Sequence, residues 1–394
     1  MSNQYTINPD LNFIDEVVGL GADTLKKCFQ CATCSVACPI APENSPFPRK
    51  EMIAASWGLK DKLIGSADIW LCHECGDCST LCPRGAEPGA VLSAIRSYTI
   101  SNVASSVPVI GGLSSAVNDQ KKLALLTAIP AAWFALMAFI TMFMGDVMEK
   151  IFAVVGVHWY HHTDAPVAQA NFISTWLVDF TFVPLLNISI AVFAYCVYKL
   201  VADMHKNAVL EGKTDKETLD WKAYFKTVPV VLKKVMQHTQ FNECGENKAR
   251  GTAHMMVLYG FILCFITTSF GFFFLYGMGK PGPYSQLWFF KWFGNIGGIL
   301  IVMGSALMIK ERLSKTTLSA YKDWYLLGLV LILGATGLAT QMTRLGELKV
   351  LTYVIYYVHL IAVFHLFAYL PFCKLAHAVY RLAGMTYAEY ANRK

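Results

Sequence analysis

The sequence predicts an all-α protein in two parts, a small helical domain followed by a bundle of six membrane-spanning helices. Three observations lead to this prediction. Eight of the twelve cysteines lie before residue 83. Six long apolar runs follow residue 122, and the composition is 55% hydrophobic and only 15% charged. The mean hydropathy of the whole chain, +0.42, is typical of a membrane protein.

The cysteines of the first part form the same pattern twice. Each run reads C-x2-C-x2-C-x3-C-P, and the two runs end at Pro39 and Pro83. Two such runs are typical of a protein that holds two 4Fe-4S clusters, with the fourth cysteine of each run bound to the other cluster. We therefore expect two ligand sets, which are Cys28, Cys31, Cys34 and Cys82 for one cluster, and Cys72, Cys75, Cys78 and Cys38 for the other.

Zinc sites and disulfides are the alternatives for these cysteines, and both are disfavoured. Zinc usually takes its ligands in two pairs, and disulfides do not persist in the cytosol. The start of the chain lacks a basic stretch followed by an apolar core, so we expect no signal peptide and a cytoplasmic cluster domain. We predict a helical, ferredoxin-type domain over residues 1–104, a Ser- and Gly-rich linker over 105–122 and the membrane domain over 123–394.

Each apolar run approaches the about 20 residues needed to cross a hydrocarbon core of about 30 Å. The runs are 123–144, 180–201, 255–276, 290–309, 324–342 and 350–373. Lys and Arg number nine in 202–253, four in 310–323 and four after 373, but only one in 145–179, one in 277–289 and two in 343–349. This bias places both chain ends in the cytoplasm, with the spans in the inner membrane. The net charge of +6, without an arginine-rich stripe, predicts no nucleic-acid partner.

Histidines in the predicted spans are candidates for function, because a polar ring in lipid is costly. His359 and His377 lie 18 residues apart, so on one continuous helix they would share a face, about 27 Å apart. His254 lies at the same membrane level as His377. Two neutral imidazoles on facing helices can hold the iron of a haem b, so His254 and His377 are candidate axial ligands. The alternative is a structural role, which we prefer for His365.

The segment HLIAVFHLFAYLPFCKLAH, from His359 to His377, resembles the last helix of the cytochrome b subunit of respiratory nitrate reductase. The resemblance implies a partner helix with two histidines ten residues apart, each paired with one histidine of the last helix. His254 matches the first partner position, whereas Cys264 occupies the second. His359, the candidate ligand of a second haem, is thus left without its usual partner.

Two outcomes for this second haem stay open. Either it is absent and the protein binds one haem b, or the loop HWYHH folds back to complete a second site. The loop histidines are His158, His161 and His162. A solvated loop on the far side of the membrane is the simpler interpretation of this motif.

Taken whole, a double-cluster domain fused to a six-helix cytochrome b bundle resembles the membrane subunit of the quinone-interacting membrane-bound oxidoreductases of sulfate-reducing organisms. That family is similar to a fusion of the iron-sulfur and cytochrome b subunits of heterodisulfide reductase. The resemblance implies electron transfer between menaquinone and cytoplasmic flavin and iron-sulfur subunits, with adenylylsulfate reductase as the acceptor. The alternatives are the cytochrome subunit of another heterodisulfide-reductase-like complex, and a membrane-tethered iron-sulfur protein without haem.

Neither a nucleophilic triad nor a phosphate loop is visible, which suits a protein whose chemistry belongs to its cofactors. The sequence therefore leaves the catalytic residues unknown. A quinone head group needs a polar site that an apolar tail can reach from lipid. The candidates for this site are His365, Glu347 and Arg344 near the outer side, and His205 and Lys374 near the inner side.

Overall fold

The computed structural model describes residues 8–43, 45–156, 159, 165–237, 248–314 and 321–393, without the side chains of 248–250. Within these residues the regular structure is entirely helical. Six of the described helices are long and apolar enough to cross a membrane, which confirms the all-α membrane class. These spans are Gln120–Ala153, Thr175–Leu210, Gly251–Gly277, Phe289–Ser314, Tyr321–Leu345 and Lys349–Phe372.

Short helices build the amino-terminal part. They are α1 (Leu11–Gly19), α2 (Thr33–Val36), α3 (Arg49–Ser56), α4 (Lys60–Ile64), α5 (Asp68–Leu71), α6 (Asp77–Thr80), α7 (Pro88–Ser105) and α8 (Leu113–Val117). Asp10 caps α1 by accepting a hydrogen bond from the Phe13 amide at 3.1 Å. Pro88 begins α7, where its missing N–H leaves no helical bond unmade. The buried face of α7 is the centre of this part.

The first span, α9 (Gln120–Ala153), begins at a cap that the sequence encodes directly. The Asp119 side chain accepts hydrogen bonds from the amides of Lys121 and Lys122 at 2.9 and 3.1 Å. The predicted linker before it contains α8 and is packed rather than open. Asn118 donates to the carbonyl of Phe372 at 3.0 Å, so the connection is tied to the end of the last span.

The remaining helices are α10 (Thr175–Leu210), α11 (Trp221–Gln237), α12 (Lys248–Phe272), α13 (Phe289–Ser314), α14 (Tyr321–Leu345), α15 (Lys349–Tyr369) and α16 (His377–Tyr390). Helix α11 packs along α16. The Tyr224 hydroxyl donates to the Ala383 carbonyl at 3.2 Å, and Lys234 pairs with Glu389 at 2.8 Å.

The last span does not continue to His377, so the prediction of one continuous helix from His359 to His377 is wrong. Helix α15 ends at Tyr369, two 3-10 turns follow, and α16 begins at His377. Pro371 explains the break, since proline lacks an N–H and its ring clashes with the carbonyl four residues earlier. That carbonyl belongs to Phe367, and it accepts a hydrogen bond from the Ser189 hydroxyl of α10 instead.

Helix α16 docks the cluster domain onto the membrane domain. Trp70 of α5 stacks on Tyr380 of α16 with ring centres 5.7 Å apart, and both side chains are fully buried. Gly384 permits this approach, because a Cβ there would lie 2.6 Å from Trp70 side-chain carbons. Arg393, near the carboxyl end, forms an ion pair with the buried Asp68 of the cluster domain. One hydrophobic core therefore runs through both parts.

Candidate functional site

The two cysteine loops have the same backbone. Gln30 and Glu74 stand two residues after the first cysteine of their runs, and both adopt left-handed conformations with φ of 59° and 54°. Ala32 and Gly76, which follow the second cysteine, are also left-handed and precede the short helices α2 and α6. This repeated turn curls each loop, so the sequence repeat is a structural repeat as well.

The structure brings the eight cysteines together in two sets of four. The Cys34 thiol lies within electrostatic reach of three others, which are Cys28, Cys31 and Cys82. The Cys78 thiol has the corresponding neighbours in the second set, which are Cys72, Cys75 and Cys38. These sets are the ones that the spacing predicts, with the fourth cysteine of each run in the other set. The assignment of these thiols as cluster ligands stays a prediction.

The thiols fit two four-cysteine clusters better than single metal ions. Among the residues that the structure describes, no three His, Cys, Asp or Glu side chains are grouped closely enough to hold one metal ion. Four thiolates around a four-iron cluster are spread more widely. Burial raises the pKa of Cys34 and of Cys38 to about 11. A cluster that binds these sulfurs would therefore have to displace the thiol protons. The Cys31 pKa is lowered instead, because its sulfur hydrogen-bonds the Thr33 hydroxyl at 3.3 Å.

Arg96 of α7 holds the second cysteine loop in place. Its guanidinium donates to the Cys72 carbonyl at 2.7 Å and to the Ile69 carbonyl at 3.3 Å, and pairs with Glu74 at 3.1 Å. Arg381 of α16 donates to the carbonyl of Leu71, the residue before Cys72, at 3.5 Å. Sequence reasoning missed Arg96, although a lone arginine within an otherwise apolar helix face was a usable signal.

His377 and His254 face each other, with ring centres 6.4 Å apart and ring planes at 70°. The His377 Nδ1 donates to the Lys374 carbonyl at 2.7 Å, which leaves the lone pair on Nε2. Desolvation lowers the His377 pKa to about 4, so its imidazole is neutral at physiological pH. Metal–nitrogen bonds of about 2 Å on both sides of one ion place two ring centres about 6 Å apart. The separation of the ring centres is therefore the one that a metal ion between the two imidazoles would need, and the assignment of this pair as ligands stays a prediction.

The second predicted haem position has a different environment. His359 Nδ1 lies 2.9 Å from the Thr336 hydroxyl of α14, and its ring lies against Gly337. The Thr336 hydroxyl also bonds the Ile332 carbonyl of its own helix. Cys264 lies against Gly297 of α13. The loop histidines that could have completed this site, His158, His161 and His162, lie outside the described residues.

Several quinone-site candidates already have partners. His365 hydrogen-bonds the Tyr325 hydroxyl at 2.8 Å, as expected for a packed histidine. His205 donates from Nε2 to the Lys216 carbonyl at 3.0 Å and accepts from the Tyr387 hydroxyl at 3.2 Å.

The other three candidates lie near the ends of spans. Lys374 forms an ion pair with Asp323 and donates to Ser93 at 3.1 Å. Arg344 lies in the last turn of α14, and Glu347 is exposed in the connection to α15. None of the five candidates lines the cavity of about 320 Å³ that the described residues form at the ends of the spans opposite the cluster domain.

Comparison with known proteins gives one family for each part of the chain. Residues 24–86 match the 4Fe-4S dicluster domain family, which supports the iron-sulfur interpretation of the cysteine runs. Residues 219–394 match the family of Citrate utilization protein B, and this match covers α11 to α16.

Curated relatives cover only segments of the chain. One subunit of the H(2):CoB-CoM heterodisulfide,ferredoxin reductase of Methanothermobacter marburgensis is 37% identical over 65 residues, or 16% of this chain and 35% of that protein. Its counterpart in Methanothermobacter thermautotrophicus gives the same figures. Citrate utilization protein B of Escherichia coli is 29% identical over 134 residues, 34% of this chain and 35% of that protein. The chain thus spans about a third of the length of these relatives. No solved structure matches it significantly.

Proposed function

We propose that the chain is the membrane electron-transfer subunit of a multi-subunit quinol oxidoreductase, placed between a menaquinone pool and cytoplasmic flavin and iron-sulfur subunits. The similarity to one subunit of a heterodisulfide reductase supports membership of such a complex. One structural observation supports the proposal most directly. Both Arg96 and Arg381 bond backbone carbonyls at the start of the second cysteine loop, and Arg381 lies on the helix that begins at His377.

The residues of the chain would hold three groups. The two cysteine sets would bind two 4Fe-4S clusters, and His254 with His377 would bind a haem b. His359 is the candidate ligand of a second haem. When bound, clusters and haem carry one electron at a time, which suits exchange with a two-electron quinol.

The surroundings of the second cysteine loop and of His377 favour the entry of negative charge. Arg96 and Arg381 both act electrostatically on Cys72 and on His377, and Lys374 acts on His377 as well. Cations at such short range in a partly desolvated site stabilise an added electron. They also hold the loop and α16 in a fixed relative position, which a relay between neighbouring centres requires.

The soluble partner is the least constrained part of the proposal. Adenylylsulfate reductase is the acceptor that the resemblance to the sulfate-reducing family implies. The match of residues 219–394 favours a second candidate, a partner from a system of the citrate-utilization type. Affinity purification of the tagged chain from its native membrane distinguishes the two by the proteins that accompany it.

The first experiment is a dithionite-reduced minus oxidised optical spectrum of the full-length chain in detergent, with a pyridine haemochrome assay. We expect a b-type α-band that His377→Ala and His254→Ala abolish, because each change removes one of two axial ligands. The matched control is His205→Asn, since His205 is also buried near α16 but uses both ring nitrogens in hydrogen bonds. A wild-type chain without haem would contradict the relay and favour the tethered iron-sulfur protein.

A further inference from the structure

A cavity of about 320 Å³ lies at the end of the bundle opposite the cluster domain. It is bounded by the start of α10, the end of the third span and the connection that follows that span. Its volume falls within the range of small-molecule sites. Most of its wall is apolar, from residues such as Phe272, Leu275, Pro281 and Pro283.

Asp179 is the carboxylate on this wall. It lies four residues after the first residue of α10, or about 6 Å along the helix axis. The Tyr276 hydroxyl donates to its Oδ2 at 2.5 Å, which uses only part of the acceptor capacity of a carboxylate. A carboxylate in a membrane span is costly and marks a functional candidate. Further polar side chains on the wall are those of Gln169, Thr175, Thr268 and Tyr284.

The helix that carries Tyr276 is irregular at this point. Its last five residues, Phe273–Gly277, form a π-helical turn, a feature that recurs at functional sites. Phe265, Phe272 and Phe273 of the same span are more than half exposed, so they would face lipid. An apolar chain could therefore lie along this span while a polar ring occupies the cavity.

We propose that this cavity binds the head group of a quinol, with Asp179 accepting a hydrogen bond from one ring hydroxyl. This inference rests on the proposed function, and it assigns a binding site to the quinol that the proposed function requires. Tyr356 of the last span lies close enough to Asp179 for their charges to interact, and Tyr356 is three residues from His359. Asp179 therefore lies near the part of the last span that carries His359.

The test is binding of 2-heptyl-4-hydroxyquinoline N-oxide, a fluorescent quinol analogue, to the full-length chain in detergent. We expect Asp179→Asn to weaken binding of the analogue about tenfold or more, because a neutral amide replaces the carboxylate that would accept a charge-assisted hydrogen bond from the ligand. Gly271→Leu should have a similar effect by filling the cavity. Gly271 lines it, and a Cβ there meets no other heavy atom within 4 Å, so the larger side chain is tolerated.

Tyr276→Phe separates a ligand role from a purely structural one. It removes the donor of the hydrogen bond to Asp179 but keeps the carboxylate, whereas Asp179→Asn removes the charge and still offers an oxygen to the Tyr276 hydroxyl. We therefore expect Tyr276→Phe to bind within about threefold of wild type. If Asp179 served only as a tie between spans, Tyr276→Phe would weaken binding at least as much as Asp179→Asn, and that outcome overturns the proposal.

The remaining outcomes separate this inference from the proposed function. Wild-type binding that Asp179→Asn and Gly271→Leu leave unchanged, but His205→Asn weakens, would place the quinol at the opposite end of the bundle. Quinol dependence would then stand and this site would fall. A wild-type chain that binds no analogue would overturn both the site and the quinol dependence.

Discussion

At the residue scale, the spacing of ligands along the chain decided which roles could be predicted. The cysteines follow one another within a few residues, so their two sets could be predicted from the sequence and the structure groups them in the same way. The pairing of His254 with His377 depended on two helices far apart in sequence. The environment of His359 could not be predicted, because its partner Thr336 comes from a neighbouring span that no motif identifies.

The crossed assignment of the fourth cysteine predicts how paired substitutions combine. We expect Cys82→Ala to remove one cluster, and with it about half of the non-haem iron. Adding Cys31→Ala should remove nothing more, because both residues belong to one set. Adding Cys78→Ala to Cys82→Ala should instead remove both clusters. Iron and acid-labile sulfide per chain, with electron paramagnetic resonance of the reduced protein, measure the outcome.

Cys196→Ala is the matched control for these variants, since Cys196 is a fully buried thiol of α10 far along the chain from both runs. It should keep both clusters. If Cys82→Ala with Cys78→Ala kept half of the iron, each run would hold its own cluster and the crossed arrangement would be wrong.

At the element scale, the sequence predicted the existence of all six spans, but it did not predict the break in the helix between the last span and His377. Length and hydropathy identify a span because the hydrocarbon core imposes both. Pro371 was visible within the last run, but its effect depends on the partners available for the freed carbonyls. Ser189 and Asn118 supply those partners from α10 and from the connection before the first span. Tertiary contacts thus turned a predicted continuous helix into two.

Ser189 therefore has a stabilising role that its position in a span does not reveal. We expect Ser189→Ala to lower the free energy of unfolding by about 1 kcal/mol, since it leaves the Phe367 carbonyl without its donor. The melting temperature in detergent should fall by about 1–3 °C. The control is Ser269→Ala, whose hydroxyl only bonds the Phe265 carbonyl of its own helix. Equal melting temperatures for the two variants would show that the bond to Phe367 contributes nothing.

At the scale of the whole molecule, the division into a cluster domain, a linker and a membrane domain is simpler than the structure. The sequence located both parts by composition, but composition does not reveal how two parts pack. The stacking of Trp70 on Tyr380 and the pairing of Asp68 with Arg393 join the first and last segments of the described chain. This contact fixes the second cysteine loop relative to His377.

The docking contact contains a buried acidic pair that predicts a pH dependence of stability. Glu51 is 3% exposed beside Asp68, which also contacts Lys50 at 2.5 Å and Arg393. Burial, together with the neighbouring Asp68 charge, raises the Glu51 pKa to about 8. Between the ordinary pKa of a glutamate and this value, the folded protein binds a proton that the unfolded chain does not. Stability should therefore fall as pH rises through this window, by at most about 1.4 kcal/mol per pH unit.

Glu51→Gln should remove this slope, because the amide stays neutral at every pH. The measurement is thermal unfolding of the full-length chain in detergent from pH 5 to about pH 9 under anaerobic conditions, with Glu16→Gln on the exposed face of α1 as the control. Wild type and Glu16→Gln should lose stability together as the pH rises, and Glu51→Gln should diverge upward from both. Parallel curves for all three proteins would mean that Glu51 is already ionised in the fold, with Lys50 and Arg393 neutralising both carboxylates. The stability of the docking contact would then not depend on protonation of Glu51.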